Sequence, residues 1–340
     1  MFRKKFGIAA ALALGLGALS PAFAATDAGN YPDRPIKMIV PFPAGGTSDI
    51  MGRIAADIIG KKLGQTVVVE NRGGAGGVIG TEAASRAKPD GYTLLLSGVG
   101  SNAIAQTLYK KLQYDSNKDF IQITQINAGP NVLVVNPKFP AKTLKEFVEY
   151  GKAHPGEVNF AMTYAASGHL AMEMLMQAAN KCPNQPKDSA CKPLKIVGIP
   201  YKGGAPGLTA VIGGQVQTMF INQDAALPYV QSGQLRALAV SSAERNPKYP
   251  GVPTVAESGY PGFVATSWAG ISAPKGTPQP IIDKLNKALV EGLNSPDVKQ
   301  KLEAQGFVVV ASSPKQYADF MRDEINRWGE VIKYAKITPQ

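Results

Sequence analysis

Apolar residues follow two periods along this chain, and each change of period marks an element. Ile36-Lys37-Met38-Ile39-Val40 reads as a strand, and Pro41-Phe42-Pro43-Ala44-Gly45-Gly46 as the loop after it. From Ser48 the spacing becomes helical: Ile50, Met51, Ile54, Ala55, Ile58, Ile59 and Leu63 fall on one face, and Gly64 is the stop. A strand over 66–70, a glycine-rich loop over 71–77, a helix over 78–87, a turn at Lys88-Pro89-Asp90-Gly91 and a strand over 93–97 come next. A second group begins near 132–135 with a strand, then a helix from Thr143, a strand near 158–161 and a helix after Ser167. It continues with strands over 196–199, 216–220 and 235–240 and a helix after Gly204. The final third is helical: Thr277-Pro278 precedes Ile281, Ile282, Leu285, Leu289 and Leu293, and Ser313-Pro314-Lys315-Gln316 has the form of a capping box. Such alternation predicts an α/β fold, a largely parallel sheet with helices on its faces.

The first 24 residues follow neither period. Arg3, Lys4 and Lys5 put charge at the front, 6–19 is apolar and uncharged, and Pro21-Ala22-Phe23-Ala24 ends in a small-x-small pattern. This is the form of a secretory signal peptide cleaved after Ala24. Its apolar run is shorter than the roughly 20 residues of a membrane-spanning helix, so the mature chain is expected to be soluble and periplasmic. Residues 25–30 are expected as a flexible tail.

Removal of that leader leaves 316 of the 340 residues, more than one compact core serves, which predicts two lobes. The last helices are expected to pack back on the first lobe. Lobe 1 would then be 31–127 with 241–340, and lobe 2 would be 128–240. The formal charge falls from +11 to +8 with the leader's three basic residues, which mildly favours an anionic ligand or a negatively charged partner surface. Basic residues occur singly or as pairs such as Lys61-Lys62 and Lys110-Lys111, without a basic-aromatic tract, so no nucleic-acid partner is expected. Cys182 and Cys191, in a proline- and asparagine-containing stretch, are expected to form one local disulfide in an oxidising compartment, contributing on the order of 2.5–3 kcal/mol. His154 and His169 are the only histidines and make no ligand pair with the cysteines, so no metal is expected.

The sequence has no G-x-S-x-G, H-E-x-x-H or C-x-x-C motif, and no catalytic residue is assigned. A dinucleotide fingerprint starting at Gly74 would need glycine at 79, where Ile79 stands, and a Walker lysine is missing, so no cofactor is expected. What remains is a set of loops ending at helix starts: 44–48, 74–77, 165–169 and 202–205. A helix start offers unpaired N–H groups and the positive end of its dipole, a receptor for a carboxylate. Each such loop also has a plain structural reading, because strand-to-helix turns need glycine whether or not they bind anything.

Six spaced segments carry a resemblance to a known family: 39–49 (IVPFPAGGTSD), 69–77 (VENRGGAGG), 89–93 (PDGYT), 200–206 (PYKGGAP), 235–240 (LRALAV) and 252–259 (VPTVAESG). Together they closely resemble the Bug family, the substrate-binding proteins of tripartite tricarboxylate transporters, in order along the whole mature chain. The resemblance implies a two-lobed periplasmic binding protein, type II-like, each lobe a mostly parallel sheet flanked by helices, with the ligand cleft between lobes. It implies a monomer that takes a small di- or tricarboxylate or aromatic carboxylate and delivers it to membrane transporter components, without enzyme chemistry. A ligand-sensing partner of a membrane receptor and an exported enzyme acting on a small acid are the alternatives.

By the same resemblance, Ala44, Gly45, Gly46, Thr47, Ser48 and Asp49 hold one carboxylate together with a facing loop, through N–H groups, hydroxyls and two ordered waters. Here the facing loop carries Tyr164, Ala166, Ser167, Gly168 and His169, and more variable positions that sense the rest of the ligand include Ser97, Ser101, Asn222 and Asp224. The chain departs from the family at Met162-Thr163-Tyr164-Ala165, where a glycine- and serine-rich run is usual. Tyr164 is then either a stacking platform or a core wall, and His169 either a ligand donor or a local cap. Asp224 would repel a plain dicarboxylate but could receive an amino group or a protonated ring nitrogen, unless it caps the helix that follows it.

Overall fold

The computed structural model describes residues 28–181, 192–334 and 337–339. The leader with its cleavage site and both cysteines, Cys182 and Cys191, lie outside the described residues. The first elements are β1 (Ile36–Val40), α1 (Thr47–Leu63), β2 (Val67–Asn71), α2 (Val78–Ser85) and β3 (Thr93–Gly98). β1 pairs in parallel with β2 on one side and β3 on the other. α1 ends at the expected stop: Gly64 takes a left-handed φ of 73° and returns its N–H to the Gly60 carbonyl.

A wide helical turn (Val99–Ile104) and α3 (Ala105–Leu108) lead to β4 (Phe120–Val135). Then follow α4 (Leu144–Ala153), β5 (Asn159–Met162), α5 (Ser167–Asn180), β6 (Val197–Pro200), α6 (Gly204–Ile212), β7 (Thr218–Asn222), α7 (Gln223–Gln231) and β8 (Arg236–Val240). The chain closes with β9 (Thr266–Pro274), α8 (Gln279–Leu293), α9 (Pro296–Ala304), β10 (Val308–Val309) and α10 (Pro314–Tyr334). The strands run β2-β1-β3-β9-β4-β7-β5-β6, with β8 and β10 also paired to β4.

β4 belongs to both halves of this arrangement. From Phe120 to Pro130 it pairs antiparallel with β9, and from Asn131 to Val135 with β7 and β8. The sheet is therefore mixed, which corrects the expectation of mostly parallel sheets. Parallel pairs persist on the outer sides, β1 with β2 and β3, and β5 with β6 and β7. The central strands are antiparallel because β4 carries the chain from one half to the other and β9 lies beside it on the return.

The apolar pattern marks only 132–135 of β4, because Gln122, Thr124, Gln125 and Asn127 interrupt it although all four are buried. Partners satisfy most of them: Gln122 Nε2 donates to the Ser116 carbonyl, Thr124 Oγ1 donates to the Ser312 carbonyl, and Ser312 Oγ accepts from the Gln125 N–H. Two bulges against β9 accompany this stretch. At the C-terminal end Ser313 and Gln316 form the expected reciprocal cap. Thr277 does not cap α8; its hydroxyl donates to the Pro274 carbonyl, and Pro280 occupies the first turn. α8 packs on α1, with Ile281, Ile282, Leu285 and Leu289 in one core with Ile54, Ile58 and Ile59.

Where the halves meet, one residue of β4 ties together the ends of β8, β9 and α5. Asn131 Nδ2 donates to the Ala265 carbonyl (2.9 Å), and its Oδ1 accepts from the Ser167 hydroxyl (3.1 Å). Its backbone N–H donates to Ser241 Oγ (2.8 Å), and Ser241, just past β8, donates from Oγ to the same Ala265 carbonyl (2.7 Å), just before β9. All three polar groups are buried, so loss of one partner leaves the others desolvated. Asn131→Ala is expected to cost about 2 kcal/mol, seen as a lower urea midpoint at unchanged slope.

Candidate functional site

A cavity of about 370 Å³ opens between the two halves, where four helices begin. Residues 44–48 bring the start of α1, 166–169 that of α5, 203–206 that of α6, and Asn222, Asp224 and Ala225 that of α7. The residues preceding these helices, Gly46, Ala166, Gly203 and Asn222, offer no side-chain cap. First-turn N–H groups and positive dipole ends therefore converge on one space. Among the described residues no lysine or arginine lines it, and Asp224 is its one acidic lining residue.

The first loop is shaped from behind by Asp49. This buried carboxylate accepts from the Gly45 N–H, Arg53 Nε and Asn71 Nδ2, each at 3.0 Å, and Asn71 Nδ2 also reaches the Phe42 carbonyl. Burial opposes its ionisation, but the bonds from Arg53, Gly45 and Asn71 outweigh that and hold the carboxyl below the usual range. Asp49 does not line the cavity, in contrast to Ala44, Gly45, Gly46, Thr47 and Ser48.

The facing loop is held more tightly. Ala165 is buried with a left-handed φ of 62°, a conformation costly for a residue with a Cβ. A Cβ on Gly168 would stand 2.1 Å from the Phe220 carbonyl oxygen, so only glycine lets α5 start this close to β7. Ala166, Ser167, Gly168 and His169 line the cavity. Burial pushes the His169 imidazole down to about 4, which makes it neutral at neutral pH. Its Nε2 is 3.9 Å from the Glu173 carboxylate, and its Nδ1 is buried without a hydrogen-bond partner. Thr163 Oγ1, on the same wall, is also buried and unpartnered.

Asp224 joins the two halves. Thr47 Oγ1, in the first turn of α1, donates to both of its carboxylate oxygens, at 3.0 and 2.8 Å. Burial pushes this carboxyl up to about 6, against the lowering effect of Thr47 and of the backbone N–H groups of Asp224 and Ala225. Asn222 lines the cavity beside it.

Other predicted positions lie off the cavity. Ser97 is in the core, its Oγ meeting the Gly270 carbonyl, Ser272 Oγ and Tyr317 OH. Ser101 is fully buried; its hydroxyl donates to Asn102 Oδ1 and its carbonyl accepts from Tyr114. Tyr164 is outside the lining, edge-on to Tyr109 at 5.7 Å. The loop 74–77 is also outside it: a Cβ on Gly76 would come within 2.7 Å of the Tyr164 carbonyl across the halves, and one on Gly77 within 2.9 Å of Ser101, so these two glycines serve close packing. Trp268, absent from the sequence reading, lines the cavity with its Nε1 donating to Glu324 Oε2 (2.7 Å). Its signal was an indole in a short alternating run, Ser267-Trp268-Ala269-Gly270. Asn131 also lines the cavity and stands as the single polar residue before an apolar run of four.

A family model described as "Tripartite tricarboxylate transporter family receptor" matches residues 51–337. Protein BugT of Bordetella pertussis (strain Tohama I) is 41% identical over 312 residues, 91% of this chain and 92% of that one. Among solved structures, R. palustris Rpa4515 with adipate superposes with a TM-score of 0.84 at 31% identity, covering 91% of this chain and 100% of that one. MatC (Rpa3494) from Rhodopseudomonas palustris with bound malate gives 0.81 at 33% identity, covering 89% and 100%.

A carboxyl pushed up from 3.8 to about 6 binds its proton more tightly in the folded chain than in the unfolded one. The stability it contributes is present below the unfolded value and lost as pH rises through the folded one. Asp224→Asn removes that loss. Its stability relative to the parent is expected to rise between pH 4 and pH 7 by roughly 2–3 kcal/mol, read from denaturant midpoints across that range.

Proposed function

Because the chain belongs to the Bug family of tripartite tricarboxylate transporter receptors, we propose that it is a periplasmic receptor that captures a small carboxylate-bearing solute and delivers it to a membrane transporter. The observation that carries this reading is the convergence of helix starts on a cavity that no lysine or arginine lines among the described residues. A carboxylate placed there accepts N–H bonds from 44–48 and 166–169, each helix end contributing roughly 0.3–1 kcal/mol and up to about 2 where partly buried. Adipate and malate in two relatives support the same ligand class.

In this reading lobe 1 is 31–127 with 241–340 and lobe 2 is 128–240, pivoting where β4 crosses. Solute in the cleft favours the closed arrangement, in which Thr47 meets Asp224, and the closed form is the one that docks on the transporter. No chemistry is needed: His169 is neutral, and its Nε2 stands 3.9 Å from the carboxylate of Glu173, beyond hydrogen-bond reach. The leader supports the address, since export puts a soluble receptor where it meets nutrients and a membrane partner.

Thermal denaturation of the mature protein with a panel of carboxylates tests this. At a hundredfold excess over the dissociation constant a true ligand adds about 2.7 kcal/mol, a rise of several degrees. A shift with a sugar or a cation but with no carboxylate overturns the reading. Gly46 adopts an extended backbone (φ −93°, ψ 172°), and a Cβ there meets nothing closer than the Pro43 carbonyl at 4.0 Å. Gly46→Leu should therefore fold, fill the carboxylate position and remove the ligand-induced shift.

A further inference from the structure

We propose that the solute carries a cationic nitrogen in addition to its carboxylate, and that Asp224 is the residue that receives it. This rests on the carboxylate reading and narrows it, from acids in general to amino acids and carboxylates bearing a protonated or quaternary nitrogen.

The first argument is charge balance. Asp224 puts a negative charge on the cavity wall, and no lysine or arginine lines that wall among the described residues. His169 does not offset it, because the imidazole is buried and neutral. The positive ends of α1, α5 and α6 can accommodate one carboxylate, but the second carboxylate of a diacid would join two like charges in a partly desolvated space. A zwitterionic solute instead leaves the charge of the cavity unchanged and replaces a repulsion with an ion pair.

The second argument is uncompensated charge at Asp224 together with unpartnered polar atoms on the cavity wall. The Asp224 carboxylate accepts from the Thr47 hydroxyl and from the backbone N–H groups of Asp224 and Ala225, all of them neutral donors, so no positive charge balances it. Burial has pushed this carboxyl up to about 6, which leaves it mostly ionised at neutral pH and short of compensation. His169 Nδ1 and Thr163 Oγ1 are two buried polar atoms on the wall without partners. His169 is only 5% exposed, so solvent does not readily satisfy its ring. Together these atoms describe a site with bonds to give and to receive beyond one carboxylate.

The experiment compares matched acids on the mature protein. For each chain length from four to six carbons, the dicarboxylate, the plain monocarboxylate and the α- and ω-amino monocarboxylates are titrated by calorimetry. Tryptophan fluorescence is a second readout, since Trp268 lines the cavity. The best aminated acid is expected to bind at least tenfold more tightly than its unaminated counterpart. Asp224→Asn should cut that affinity tenfold or more and raise affinity for the dicarboxylate, whereas Asp224→Glu, with its charge retained, should keep the preference for nitrogen. Tighter binding of dicarboxylates than of every aminated acid, or a preference for nitrogen that survives in Asp224→Asn, overturns the proposal. Failure of every carboxylate to bind the parent protein overturns the carboxylate reading, and this one with it.

Discussion

An uncapped helix start is useful only if it cannot move, because the attraction of its N–H groups for an anion falls off within the first turn. Much of the structure around the cavity meets that requirement. Asp49 draws the Gly45 N–H toward itself and ties the loop before α1 to Arg53 and Asn71. Gly168 lets α5 start against the backbone of Phe220, and buried Ala165 accepts a left-handed conformation so that the turn before α5 can be made. Asp49, which orders the first of these helix starts, stands behind the cavity and does not line it.

The same economy governs the joint between the halves. Asn131 ties β4 to the segments leaving β8 and entering β9, and it also accepts the hydroxyl of Ser167, the first residue of α5. Joint and site therefore share a side chain, and a change in how the strands cross is felt at a helix start. The far wall is anchored as firmly. Trp268 and Trp328 both donate their indole N–H to Glu324 Oε2, which fixes a cavity-lining ring to the C-terminal helix α10.

The sequence made the periodic parts legible: α1 with its glycine stop, the outer strands, and the loops over 44–48, 165–169 and 202–205, which do converge. It hid the first two thirds of β4, where buried glutamine, threonine and asparagine look like a surface segment until their partners are known. The family resemblance puts Ser97 and Ser101 among the variable ligand-sensing positions, whereas tertiary partners draw both side chains into the interior. Periodicity reports which face of an element is apolar and says nothing of which remote hydroxyl will satisfy a buried polar group. The glycines at 74–77 illustrate the same limit, since the need for close backbone approach and the need for an anion site leave the same letters.

Because the donors of the loop before α1 are backbone amides, no single codon encodes them. Most side-chain replacements in that loop leave each N–H where it was, whereas a replacement at Asp224 changes what the cavity carries at once. In the proposed site, anchoring and discrimination are thus placed under different mutational loads. Such a receptor can drift among solutes over evolutionary time through substitutions at its wall without passing through a form that has lost its grip.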